Sequence, residues 1–165
     1  MIGIVLGLGF QWWPNLTEPW QYFAFVFVYV DIIDYWIDYA PSLRKFPPKR
    51  EVDIILDMAI MFSLFLYIYA TQESIVYFLV AFVLLRVLDV IWLIRARHEH
   101  PSHQELMFVT TWLWFNVIEA VVVGVFILLS IFVNLQPMIL MILTALLWVI
   151  MRIGASIRYK KVHFA

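Results

Sequence analysis

The chain contains no cysteine, which removes disulfides, thiolate metal sites and thiol nucleophiles from consideration. Charge is also scarce: Asp, Glu, Lys and Arg make up 14% of the 165 residues, and the net charge is −1. A near-neutral chain lacks the basic footprint that nucleic acid requires, so that class of partner is excluded. Glycine is too thinly spread to build a phosphate-cradling loop, and the sparse Ser and Thr form no nucleophile motif. No cofactor is expected. No polar tract is long enough to make a soluble domain or a linker.

What remains is apolar. Hydrophobic residues account for 65% of the chain and mean hydropathy is +0.92. Soluble domains are roughly 45–50% apolar, and a chain of this length cannot hide the difference inside itself. A bilayer can, because a helix of about 20 residues crosses its hydrocarbon core. The expected fold class is therefore all-α: a polytopic integral membrane protein, multi-pass in the cell membrane, with the bilayer as its first partner.

Five segments have the length and hydropathy to cross, near 19–40, 52–70, 74–94, 106–132 and 137–156. Pro41 and the Pro47-Pro48 pair should close the first, since proline lacks an N–H and disfavours helix before it. Thr71-Gln72-Glu73, the stretch His98 to His103, and Asn134-Leu135-Gln136 should form the remaining connections. Pro137 suits the first position of the fifth helix. Residues Met1 to Phe10 are apolar but too short to span and lack the basic start of a leader, so residues 1–18 are expected to form an interfacial or re-entrant segment, with a partial sixth span the alternative.

Lys and Arg fall in alternate connections. Arg44, Lys45, Lys49 and Arg50 follow the first span, Arg95 and Arg97 the third, and Arg158, Lys160 and Lys161 the fifth. The intervening turns and the N-terminal segment have none. The positive-inside rule then places the N-terminus outside and the C-terminus in the cytoplasm. Abundant Trp and Tyr suit interfacial belts, and Trp92, Trp112, Trp114 and Trp148 are expected as packing or belt residues.

The informative residues are the ionisable ones inside the spans, because such groups are costly there and face protein or water. Asp31, Asp34 and Asp38 share one face of the first span at i, i+3, i+7. Asp53 and Asp57 open the second, with Asp38 and Asp53 expected at the interface. Arg86 and Asp89 lie in the third span, Asn116 and Glu119 in the fourth, and Arg152 near the inner end of the fifth. Asp31, Asp34, Asp57, Asp89 and Glu119 are the candidate ion- or proton-binding groups. Arg86, Arg152 and Asn116 are the candidate charge-pairing groups. Five acids facing two cations must shed charge, bind a cation, meet water or pair with another subunit. The same cluster could instead be a structural polar network locking helices together. The echoes Asp31-Ile-Ile-Asp34, Arg86-Val-Leu-Asp89 and Asn116-Val-Ile-Glu119 have the form of an internal repeat, which transporters often carry.

Two resemblances arise from these motifs. Asp31-x-x-Asp34-x-x-x-Asp38 with Asp53-x-x-x-Asp57 resembles the aspartate motifs of UbiA-type membrane prenyltransferases, which implies Mg²⁺ held on a diphosphate. It covers residues 31–57, and the second aspartate-rich helix pair of that family is missing. The run Phe115 to Val123, with Asn116 and Glu119, is similar to the third helix of voltage-sensor domains. The arginine ladder those domains need is reduced here to Arg152 and Arg158. His98, His100 and His103 read as a solvated basic connection, with metal ligation the alternative.

The leading expectation is movement of protons or small cations through an acid-rich cavity open to the cytoplasm. A non-catalytic accessory subunit comes second, with a homo-oligomer or larger membrane complex as its setting. A Mg²⁺-dependent enzyme acting on a lipid or prenyl diphosphate comes third.

Overall fold

The computed structural model describes residues 2–99 and 103–159, with side chains described from 107 to 158 in the second stretch. Six α-helices follow one another: α1 (Ile2–Gly9), α2 (Pro19–Lys45), α3 (Glu51–Tyr69), α4 (Ile75–Glu99), α5 (His103–Val133) and α6 (Pro137–Tyr159). Short 3-10 turns cover Phe10–Asn15 and Ala70–Gln72, and no strand occurs among the described residues. Four helical segments are long and apolar enough to cross a membrane: Glu51–Gln72, Ile75–Glu99, Met107–Val133 and Pro137–Arg158. α2 matches them in length but carries Asp31, Asp34 and Asp38.

Local chemistry sets the helix ends. Gln21 Oε1 accepts the N–H groups of Thr17 (2.8 Å) and Glu18 (3.0 Å), and Pro19 follows at the first helical position. Asp53 Oδ2 does the same for α3, accepting from Lys49 (3.2 Å) and Arg50 (2.9 Å). Asn134 closes α5 with φ of 53°, a left-handed conformation that asparagine tolerates, and Pro137 starts α6.

Two expected boundaries move. Pro41 does not end the first helix, which runs on to Lys45. Beside it the Ser42 hydroxyl donates to the Asp38 carbonyl at 2.7 Å, and a membrane-type helix tolerates the loss of the single N–H that proline lacks. The stop comes at Pro47-Pro48, where two prolines in succession forbid continuation. The connection expected from His98 to His103 also shrinks, because α4 continues to Glu99 and α5 begins at His103. His98 is exposed at the end of α4. His100 and the His103 side chain lie outside the described residues, as do Lys160 and Lys161.

Helices α2 to α6 form a closed ring, each packing on the next and α6 returning to α2. Short connections make successive helices antiparallel. All the described basic termini therefore gather at one end: Arg44 and Lys45 of α2, Lys49 and Arg50 before α3, Arg95 and Arg97 of α4, and Arg158 of α6. There Lys49 Nζ donates to the Glu99 carbonyl (2.9 Å), and Arg95 pairs with Asp53 (2.5 Å) and Glu99 (3.1 Å). The opposite end, with the turns at 70–74 and 134–136, has no Lys or Arg.

α1 folds back against α2 and α3 at that neutral end. The Tyr29 hydroxyl donates to the Leu6 carbonyl at 2.6 Å, and Trp12 packs edge-on against Phe65 and Tyr69. Gly9 makes the close approach: a β-carbon there would stand 2.7 Å from Ile68 Cδ1 and 3.2 Å from the Tyr29 hydroxyl. Gly9→Leu should overpack this contact at a cost of about 1–3 kcal/mol and release α1, not the ring. Hydrogen exchange should then accelerate roughly tenfold or more across residues 2–15 with α4 unchanged, and uniform exchange would show that the contact holds nothing.

Candidate functional site

Arg86 sits inside the ring, about 16 Å from the start of α4 at Ile75, with its side chain 5% exposed. An ionised guanidinium cannot stay there unpaired. Its Nη2 donates to both oxygens of Asp31 on α2, at 3.0 and 2.9 Å, and its Nε pairs with Glu119 Oε2 on α5 at 2.6 Å. The Phe82 ring lies 4.4 Å beneath the guanidinium carbon. Trp148 of α6 donates its indole N–H to Asp31 Oδ1 at 2.7 Å, so α2 and α5 meet the arginine directly and α6 through Asp31.

Asp89, one turn along α4, has its own partners. Tyr35 donates to its Oδ1 at 3.1 Å and Asn116 to its Oδ2 at 2.5 Å. Arg86 and Asp89 thus look outward to α2 and α5 instead of to each other. Arg152 of α6 forms the second cationic node. It pairs through Nε with Asp34, approaches Asp38 at 3.4 Å, and lies over the Trp112 ring at 4.2 Å.

These groups line a cleft that extends from Glu119 and Trp148 past Arg86, Asp89, Asn116, Tyr35, Asp38 and Arg152 to Ser42, Leu93 and Phe108. Ser42 and Leu93 lie near the ends of α2 and α4 that carry Lys45 and Arg97, so the cleft leads to the basic end. Its volume is about 40 Å³, which suits a few water molecules or a small ion. Toward the neutral end the bundle is filled by Phe78, Leu79, Phe82, Val123, Leu140 and Met141, all wholly buried.

Two expectations about placement change. Asp57 leaves the central cluster: it is half-buried, accepts from the Tyr39 hydroxyl at 2.7 Å, and lines a second, smaller cavity with Pro47, Trp92 and Arg95. The reason is height, since Asp57 is only six residues from the basic end of α3, about 9 Å. Asp38, expected at the interface, instead joins the Arg152 node, because α2 continues well beyond it. Asp53 pairs with Arg95 at the basic end.

The five aspartates of the prenyltransferase-like motif are consequently divided. Asp31 turns to Arg86, Asp34 and Asp38 to Arg152, Asp53 to Arg95 and Asp57 to Tyr39. Among the described residues no group of three or more His, Cys, Asp or Glu side chains is placed to hold a metal ion. In the voltage-sensor-like segment, Asn116 bonds Asp89 and Glu119 pairs with Arg86, both of α4.

Several contributors were not apparent from the sequence. Trp148 was expected to be a packing residue and is a donor to Asp31. Tyr35 and Tyr39 continue the Asp31 stripe at i+4 and i+8, a spacing that could have flagged them. Tyr67 of α3 is wholly buried, with Asp31, Arg86 and Glu119 as its charged neighbours.

Replacing Arg86 with Met should strand Asp31 and Glu119 without their cation and cost about 3–5 kcal/mol. Thr144→Ala removes a hydroxyl bonded only to the Leu140 carbonyl of its own helix, and should cost below about 1 kcal/mol. Thermal unfolding in detergent compares the two, and equal midpoints would remove Arg86 from its central place.

Compared with protein-family models, curated proteins and solved structures, the chain matches none.

Proposed function

We propose that the protein crosses the cell membrane five times, N-terminus outside and C-terminus cytoplasmic, and moves protons or small cations through the acid-rich cleft. In this reading Asp31, Asp34, Asp89 and Glu119 exchange the ion or proton, and Arg86, Arg152 and Asn116 hold them in place. The cleft opens toward the cytoplasm. The protein works alone or as a homo-oligomer.

One observation carries the proposal. Among the described residues Asp31, Asp34, Asp38, Asp89 and Glu119 share Arg86 and Arg152, and Asp38, Asp89 and Glu119 line a cleft of water-like dimensions with both arginines. Unbalanced negative charge in a low-dielectric interior must be balanced by bound protons or cations. Groups able to take up and release them are what a transport path needs. Asp57, beside the second cavity, extends the acid line toward the basic end.

α2 is the fifth crossing in this reading. Its acids point into the ring, whereas its exposed side is Phe23, Val26, Val30, Ile33 and Ile37, a surface suited to lipid. The basic ends of the helices set the orientation. A second reading, an accessory subunit, draws on α5 and α6, whose apolar windows are only 17% and 22% buried, against 50% for α3 and α4. Lipid covers those faces in the first reading and a partner subunit in the second.

The test is ion flux into liposomes holding purified protein. Wild type should exceed empty vesicles, and Glu119→Gln and Asp34→Asn should each lower the rate roughly tenfold, as expected for ionisable groups on an intramembrane path. Absence of flux from folded, inserted protein would favour the accessory subunit. The lack of native cysteine makes topology directly testable. An impermeant maleimide should label Ser74→Cys on intact cells and Arg97→Cys only after permeabilisation, and the reverse pattern would invert the orientation.

A further inference from the structure

Resting on the membrane-crossing reading above, and not on transport, we infer that the segment from Arg44 to Arg50 binds the headgroup of an anionic phospholipid whose chains lie along the outer faces of α2 and α3.

Arg44-Lys45-Phe46-Pro47-Pro48-Lys49-Arg50 joins the end of α2 to the start of α3 and carries four cations and no acid. Its shape is fixed in three ways. The two prolines set their own φ and bias the residue before each to extended backbone. Phe46 is buried and stands edge-on to Trp92 of α4 at 6.1 Å. Asp53 Oδ2 accepts the backbone N–H groups of Lys49 and Arg50. An anion arriving here meets cations on an ordered backbone, so little chain freedom is lost on binding.

These cations are available where others are not. Arg86, Arg95 and Arg152 each face two carboxylates. Arg44 and Lys45 are exposed and pair with no carboxylate among the described residues. Lys49 Nζ donates to a neutral acceptor, the Glu99 carbonyl, and keeps its charge. The Arg50 side chain is 71% exposed and comes no nearer to Glu99 than 3.8 Å, an ion pair of little worth in water. Glu51 and Glu99 offset only part of this charge.

The patch runs directly into apolar surface. On α2, Ile33, Ile37 and Pro41 lead along one exposed face to Arg44, at i, i+4, i+8 and i+11. On α3, Val52, Ile55, Met58 and Phe62 lead away from Arg50 and are all more than half exposed. A free phosphate or an acidic peptide would use the cations and leave these faces bare. A phospholipid has a partner at both ends. Anionic lipids are concentrated in the cytoplasmic leaflet, where the basic end lies in the reading above, and each basic residue at that level favours them roughly fivefold.

The test is lipid selectivity. Purified protein in detergent is offered equal amounts of phosphatidylserine and phosphatidylcholine with the same chains, and the retained lipid is weighed by native mass spectrometry. Wild type should retain phosphatidylserine roughly twentyfold or more in preference. Lys49→Gln with Arg50→Gln should lower that ratio at least roughly fivefold, and Arg44→Gln with Lys45→Gln should do the same. Arg97→Gln with Arg158→Gln removes as many exposed charges elsewhere at the basic end and should leave the ratio unchanged. All these side chains are exposed, so the unfolding midpoints should match wild type. No preference in wild type, or an unchanged ratio in both segment variants, would overturn the site. An equal fall in the Arg97 and Arg158 variant would replace it with diffuse attraction. Displacement of the lipid by soluble glycerophosphoserine would show that the chains add nothing, and would overturn the phospholipid as ligand. Reversed maleimide labelling overturns the orientation and absent ion flux overturns transport, and the lipid preference stands apart from either result.

Discussion

The structure depends on one buried guanidinium. Arg86 ties α4 to Asp31 of α2 and Glu119 of α5, and Asp31 extends the tie to Trp148 of α6. Taking such a group out of water costs more than a single ion pair returns, so the site holds only because two acids and an aromatic ring surround it. The remaining polar contacts arrange themselves around that requirement. Asp89 is left to Tyr35 and Asn116, and Arg152 gathers the two outer aspartates of α2.

The ring of helices follows from the same economy of polar surface. α2 carries more charge than a free membrane helix tolerates, yet turns it all one way and shows apolar side chains on the other. Backbone groups are satisfied within the helices, and the charged ends collect at one pole, where Arg95, Asp53 and Glu99 pair. Between that pole and Arg86 lies the cleft, and beyond Arg86 the interior is aromatic and aliphatic. The interior is therefore open toward the basic end and filled toward the neutral one.

The acids were legible because charge inside an apolar run is conspicuous, and their helical spacing fixed which of them share a face. Pairing was not legible. Asp57 was grouped with Arg86 and Arg152, but it stands at a different height and belongs to Tyr39. Asp38 was placed at the interface, yet it pairs with Arg152 on a helix that passes through Pro41 and on to Lys45. Trp148 and Tyr67 carry no charge to draw attention, and in an aromatic-rich chain nothing local separates a hydrogen-bonding ring from a packing one.

Composition and periodicity by themselves determined that this chain is helical, that its long helices suit a membrane, that its basic residues favour one end and that its acids lie within the apolar spans. Those properties belong to single segments, and hydropathy, proline and charge act within a turn or two. Which acid meets which arginine depends on the rotation and axial offset of each helix against its neighbours. Side chains from all five helices settle those offsets together, so the cleft, the Arg86 node and the position of Tyr67 were decided only in the tertiary structure.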